Sequence, residues 1–301
     1  MKLKALTPVL VGAAALICAV LRGLNLISGY EAGTGLPVPG NPAETGLIAL
    51  SAVMAVALLL IARTYRKNRG IQFEAAFAGS DTLFKMVSVI AGLAMMAAGA
   101  LGLYQTVAGG APASDPEMML TAPVSPLATL PMILLWILAI LTGGCLIGLA
   151  SALSRKSISA SNAMLTILPM FWSCFDLIIT FKDNGASPFV GLYGFELLAA
   201  ILLTYAFYTL AGFLYSTANP ARFVFSAGLA VILCIACVGG AGISLASGAA
   251  AVTFSPETLL RYVCFLASGV WMFALLVLLT RNTAKDTPET APELFEAQTE
   301  N

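Results

Sequence analysis

The chain has 301 residues, of which 59% are hydrophobic and 10% charged, and its mean hydropathy is +0.92. These values exclude a water-soluble globular protein. Fifteen basic residues balance 15 acidic ones, so the charge does not indicate nucleic-acid binding. The sequence contains no histidine, which excludes Ser–His and Cys–His catalysis and histidine-ligated metals, and we expect no cofactor.

Eight apolar segments, each long enough to cross a bilayer as a helix, follow one another along the chain. A membrane helix satisfies its backbone hydrogen bonds internally, and the weak alternation typical of barrel strands is absent. We therefore predict an all-α integral membrane protein, a polytopic bundle of about eight transmembrane helices. The predicted spans are 5–28, 46–62, 83–107, 127–153, 163–181, 189–215, 222–246 and 258–280.

The distribution of lysine and arginine predicts the orientation of the bundle. With residue 1 in the cytoplasm, 12 basic residues fall on the cytoplasmic side and three, Arg22, Lys182 and Arg261, fall toward the outside. We expect a multi-pass protein of the cytoplasmic membrane with both termini inside, as is typical of the bacterial inner membrane. The opening residues MKLK also resemble a signal sequence, but the small-residue cleavage site is unconvincing, so we expect a retained first helix.

Short loops connect the segments, and the cytoplasmic loop 63–82 is strongly basic. It opens with RTYRKNR, which indicates either a site for anionic lipid or a protein partner, or a simple topology anchor. Residues 1–284 form the predicted transmembrane domain. Residues 285–301 contain five acidic residues and two prolines, which predict a disordered acidic cytoplasmic tail.

Two similar stretches indicate an internal duplication. The sequence Ala-Gly-Leu-Ala begins at residue 91 in the third segment and at residue 227 in the seventh, and a Pro-Glu pair precedes each following segment. A duplication would divide the domain into two four-helix halves, 1–155 and 156–284, related by an axis along the membrane normal. Because Ala-Gly-Leu-Ala is common in membrane helices, chance similarity is the alternative.

Two acidic residues fall inside predicted helices, where an ionised side chain costs about 2.5–3.5 kcal/mol at the bilayer centre. Asp176 precedes the turn between the fifth and sixth segments, and Glu196 follows it. At 1.5 Å per residue both lie roughly 9–12 Å below the outer boundary, on adjacent antiparallel helices. If the two acids face each other, the pair could hold a proton or bind a cation.

Two arginines at related depths are candidate counter-charges for these acids. We predict that Arg22 and Arg261 join Asp176 and Glu196 in a polar cluster within the outer half of the bundle, enclosed by the first, fifth, sixth and eighth helices. The alternative is that the arginines extend to lipid headgroups while each acid is neutral and bonded to a backbone carbonyl. Additional hydrogen-bonding side chains near this level belong to Asn25, Tyr104, Gln105 and Tyr193.

Three further patterns favour packing over chemistry. Cys234 and Cys237 have the spacing of a redox or metal pair, but no second pair completes a site, so we expect them to act as small hydrophobic residues. Gly144 and Gly148 form a GxxxG step, which predicts close packing of the fourth helix on a neighbour. The glycines at 239, 240 and 242 indicate that the seventh helix loosens or breaks near its end.

Transport is the function that these features favour. Protease motifs and a phosphate-binding loop are missing, so we predict that the chain is not an enzyme. A two-half design, short loops, intramembrane acids and a glycine-interrupted helix predict a small-solute or cation transporter. In it, Asp176 and Glu196 would bind a proton, a cation or a cationic group. The alternative is a non-transporting membrane subunit, such as a sensor, an assembly factor or the partner of a soluble domain. In that case the loop 63–82 would bind a protein partner. No motif identifies a family.

Overall fold

The computed structural model describes residues 2–31, 36–68, 71–77, 82–108, 126–155, 164–185, 190–215, 217–248 and 254–285. In these ranges eight helices are long and apolar enough to cross a membrane. The prediction of an all-α polytopic bundle is therefore confirmed. The helices are α1 (Lys2–Ser28), α2 (Pro42–Arg63), α3 (Thr82–Ala108), α4 (Pro126–Arg155), α5 (Met164–Asn184), α6 (Val190–Leu214), α7 (Pro220–Ser247) and α8 (Pro256–Lys285).

Several helices begin earlier than hydropathy predicts, because polar capping residues add turns that an apolar window does not detect. Before α2, the Asn41 side chain accepts a hydrogen bond from the Ala43 amide at 2.8 Å, and Pro42 occupies the first helical position. Before α7, Asn219 accepts from the Arg222 amide at 3.3 Å. Helix α7 ends at Ser247 and is capped by Gly248, whose φ of 63° is the left-handed conformation that glycine adopts without strain.

We expect Asn41→Ala to destabilise the protein by about 1 kcal/mol, because the first turn of α2 loses its side-chain acceptor. Reversible unfolding in mixed detergent micelles measures the change. Asn41→Asp keeps an acceptor for the Ala43 amide but removes the amide that donates to Ser28 Oγ at 3.3 Å. An equal loss of stability in both variants would show that capping is not the cause.

Helix α7 is the centre of the bundle, with α1, α2, α6 and α8 packed against it. Most of its residues are buried, whereas α2 and α3 present large apolar side chains such as Val53 and Ile90 at the surface. An exposed apolar belt of this kind suits contact with lipid and not with water.

The glycines of α7 promote close packing, and the prediction that they loosen or break the helix is wrong. Helix α7 is continuous through residues 239–242. A Cβ atom built on Gly239 would lie 2.7 Å from the Ala19 Cβ, and one on Gly240 would lie 2.5 Å from the Arg22 Cγ. The two glycines therefore let α1 approach α7 and leave room for the Arg22 side chain.

Helices α3 and α4 are also in close contact, but through a different glycine from the one that the GxxxG step predicts. A Cβ on Gly143 would lie 2.5 Å from the Gly92 carbonyl oxygen, and a Cβ on Gly92 would lie 2.6 Å from the Gly143 oxygen. Gly144, in contrast, has no such neighbour within 4 Å, and Gly148 is in ordinary contact with Leu165. The prediction that α4 packs closely on a neighbouring helix is therefore confirmed, and Gly143 is the residue that permits the close approach.

One end of the bundle, which contains both ends of the loop 63–82, is closed by aromatic side chains. A short helix, Phe73–Ala76, turns back toward the bundle and inserts Phe77 between Phe213 and Phe223, with ring centroids 5.2 and 5.7 Å away. Tyr65 is also fully buried and lies under the Lys4 ammonium, 5.0 Å from the ring centroid. The basic side chains of Arg63, Arg66 and Lys67 remain exposed.

Two of the sequence interpretations fall wholly or partly outside the described residues. These are the acidic tail from residue 286 onward and the Pro-Glu pair at 116–117 that supports the duplication. Helices of the two suggested halves pack together, since α7 contacts α1 and α2 while α3 contacts α8. The duplication stays a prediction.

Candidate functional site

Arg261 lies at the centre of a buried polar cluster, which we define as Arg261, Asp176, Glu196, Thr180 and Tyr262. Its Nε donates to Asp176 Oδ1 at 2.7 Å, and its Nη2 donates to the Thr180 hydroxyl. The same Nη2 lies 3.0 Å from Glu196 Oε1, an ion pair without hydrogen-bond alignment. One guanidinium therefore holds two carboxylates from different helices.

Helix geometry brings these groups together near the end of the bundle opposite the loop 63–82. Asp176 and Thr180 are four residues apart and share one face of α5, where the Thr180 hydroxyl also donates to the Asp176 carbonyl at 2.9 Å. Helix α8 packs mainly on α3 and α7, so Arg261, in its second turn, reaches across to α5 and α6. The cluster thus joins three helices through side chains.

The cluster is buried and leaves carboxylate oxygens incompletely paired. Asp176 is 0% exposed, Arg261 4% and Glu196 7%. Asp176 Oδ2 has no hydrogen-bond partner, and Glu196 Oε2 has only a long contact, at 3.4 Å, from the Tyr262 hydroxyl. Because a buried carboxylate requires both charge and hydrogen-bond compensation, two acids on one guanidinium are under-compensated when both are ionised.

Arg22 lies beside this cluster and does not pair directly with either acid. Its guanidinium donates to the Gly191 carbonyl at 3.3 Å and to the Leu192 carbonyl, and it stacks 5.2 Å from the Phe195 ring centroid. Both carbonyls belong to the first turn of α6, just before Glu196, and Arg22 is near enough to act electrostatically on that acid. Since both arginines are 4% exposed, neither extends to the headgroups.

The other hydrogen-bonding residues that the sequence analysis placed near this level lie in different surroundings. Tyr104 is 71% exposed, and with Gln105 it lines a surface cavity of about 590 Å³ near Glu257, away from the acids. Asn25 is fully buried, and neither polar atom of its side chain has a hydrogen-bond partner. Tyr193 is buried on α6, about one turn before Glu196.

In the described conformation the cluster has almost no contact with solvent. A second cavity, of about 560 Å³, lies between α1 and the start of α2 and is lined by Leu21, Leu24 and the segment 38–43. Neither cavity includes an acid of the cluster. Because Asp176 is fully buried, an ion that reaches its carboxylate requires the surrounding side chains or helices to move apart.

Cys234 and Cys237 lie fully inside the helix bundle as free thiols. Among the described residues, no group of three or more histidine, cysteine or acidic side chains could hold a metal ion.

Sequence reasoning missed Thr180 and Tyr262. Thr180 had a usable signal, because it lies one helical turn after Asp176 and must share its face. Tyr262 had none, since which flank of Arg261 turns toward Glu196 depends on the rotation of α8.

No family model matches the chain, and no curated protein or solved structure matches it either.

Proposed function

We propose that this membrane protein is a small-solute or cation carrier in which Asp176 and Glu196 bind and release a proton. The observation that supports this most directly is that one buried guanidinium serves two carboxylates, while Asp176 Oδ2 has no partner. Binding of one proton would satisfy the excess negative charge of the three groups. Intramembrane acids under such constraint are typical of proton relays in transporters.

The position of the cluster supports a role in conformational change. Arg261 on α8 holds α5 and α6 together, so a proton that weakens one of its two ion pairs weakens a contact between helices. The aromatic side chains around Phe77 close the opposite end. A carrier closed at both ends is an expected intermediate of alternating access.

The proposal includes a location and an orientation. The excess of basic residues on one side favours the cytoplasmic membrane with both termini inside. It assigns no catalytic step to the chain, whose partners are lipid and the transported solute or ion.

The test is a pH jump applied to proteoliposomes on a solid-supported membrane, where proton binding within the bilayer produces a transient current. We expect a current from the wild type and a loss of most of it in the double variant Asp176→Asn, Glu196→Gln. The matched control is Asp183→Asn, which removes an exposed acid two turns further along α5. Full current in the folded double variant would contradict the proposal.

A non-transporting membrane subunit is the second candidate, and the closed packing around the acids favours it. In that case the cluster only joins helices, and the exposed Arg63, Arg66 and Lys67 would contact a protein partner. A wild-type protein that gives no current under the pH jump would support this function over transport.

A further inference from the structure

Arg22 is a buried cation whose polar contacts are all neutral. Its guanidinium bonds to two helix carbonyls and stacks on Phe195. In the part of the chain that the structure describes, the ion pairs within 4 Å are those of Arg261, and none includes Arg22. Arginine does not lose its proton in proteins, so its charge remains although the side chain is only 4% exposed.

One buried polar side chain without a hydrogen-bond partner lies close to Arg22, and a second lies one turn away along α1. Asn25, one turn further along α1, is fully buried, and neither of its amide atoms is paired. Tyr30 is 5% exposed, and its hydroxyl, near Arg22, also lacks a partner of hydrogen-bond geometry. Burial raises the pKa of the Tyr30 phenol, so the hydroxyl keeps its proton and remains a donor.

We propose that Arg22, with Tyr30 and Asn25, forms a binding site for the carboxylate of a small singly charged anion. The planar guanidinium can present two parallel N–H donors to a carboxylate, and the hydroxyl and amide supply further donors. The inference deepens the proposed function and rests on it, because it names the class of solute that the carrier would move.

Glu44 limits the charge of the ligand. This half-buried acid from α2 approaches the start of α6, where its Oε1 would lie 3.1 Å from a Cβ on Gly191, and the Tyr30 hydroxyl would lie 3.6 Å from the same point. A carboxylate beside the site repels a doubly charged anion more than a singly charged one. The site therefore favours a monocarboxylate over phosphate or sulfate.

Charge balance couples this site to the acids. Four charged side chains are buried here, Arg22 and Arg261 against Asp176 and Glu196, and they sum to zero when both acids are ionised. A proton on the acid pair removes one negative charge from the surroundings of Arg22, which favours the binding of a monoanion there. Thus proton and carboxylate should each strengthen the binding of the other.

Other titratable groups lie near the four charges, and the Glu44 carboxylate adds a further negative charge on the Arg22 side. They are Tyr30 and Glu44 on the outer side, Cys237 on α7, Tyr262 on α8, and the exposed Lys182 and Asp183 at the end of α5.

The experiment measures ligand binding by the purified full-length protein in lipid nanodiscs, from thermal stability and titration calorimetry. The probes are formate, acetate, propionate, lactate and benzoate, with phosphate, sulfate and chloride at matched ionic strength for comparison. The range from about pH 5.5 to 8 keeps the probes ionised, because carboxylic acids titrate near pH 4. We expect at least one monocarboxylate to bind, and Arg22→Gln to weaken it about tenfold or more.

Three variants separate the binding site from a merely structural role. Arg22→Lys keeps the positive charge but lacks the planar guanidinium, so this variant should bind the carboxylate more weakly than the wild type. If Arg22→Gln does not fold, Arg22→Lys takes its place in the comparison. Arg222→Gln removes an exposed arginine on α7 and should change nothing. In Asp176→Asn, Glu196→Gln both negative charges are removed, so the carboxylate affinity should be at least that of the low-pH wild type and no longer depend on pH.

The outcomes distinguish this site from the proton site. The anion site is refuted if every monocarboxylate binds the wild type no more tightly than it binds the Arg22 variants. It is also refuted if phosphate or sulfate binds the wild type and the monocarboxylates do not. A pH-jump current without carboxylate binding would leave the proton site supported and overturn the anion site. A third outcome is carboxylate binding that depends on Arg22 but not on pH, together with no pH-jump current. This result would overturn proton transport and its coupling to the anion, but it would support the binding site.

Discussion

Replacement of Arg261 by leucine is expected to destabilise the protein by about 3–5 kcal/mol, the range for removing one partner from a buried ion pair. The change leaves Asp176 and Glu196 buried without a cation, and it removes the side chain that joins α8 to α5 and α6. Reversible unfolding in mixed detergent micelles, or the fraction that remains monodisperse after heating, measures the loss.

Removal of the two negative charges should restore much of that stability. In the triple variant Arg261→Leu, Asp176→Asn, Glu196→Gln, none of the three charges of the cluster remains, although the amides still need hydrogen bonds. Arg222→Leu, at an exposed position on α7, is the matched control and should stay near the wild type. If the triple variant is no more stable than Arg261→Leu, the destabilisation comes from lost packing and not from charge.

Gly143→Ala should be the second most damaging change, with a cost of about 1–3 kcal/mol from overpacking. Its new methyl group would lie 2.5 Å from the Gly92 carbonyl oxygen and 3.0 Å from the Met96 amide nitrogen. Backbone atoms of this kind move only if α3 moves away from α4. The same unfolding measurement detects the effect.

Gly144→Ala is the control, since a Cβ atom at this position has open space around it. We expect it to change stability by less than about 1 kcal/mol, the scale of helix propensity. If Gly144→Ala proved the more harmful of the two, the packing of α3 on α4 through Gly143 would be wrong.

The elements that the sequence predicted well are those governed by a local physical rule. A run of about 20 apolar residues must form a helix in lipid, and all eight predicted spans correspond to helices. The level of Asp176 and Glu196 followed from their distance to the shared turn, since the rise per residue is constant. The ends were less accurate because Asn41 and Asn219 are polar caps.

The errors concern helix rotation and close approach. Gly143 and Gly144 are neighbours in sequence but point in directions 100° apart on an ideal helix of about 3.6 residues per turn, so a motif alone did not identify the residue in contact. For the same reason Arg22 was expected to pair with the acids, whereas its side chain passes over Gly240 and reaches the carbonyls of α6.

Hydrophobicity along the chain was sufficient to predict the membrane-spanning helices and their order, because the formation of such a helix depends mainly on composition and length. The rotation of each helix was decided only by the packed bundle. Contacts between small residues, and the need of buried charges for partners, choose among rotations that hydropathy cannot distinguish. These contacts bring Asp176 and Glu196 to the same guanidinium and leave Arg22 on neutral partners.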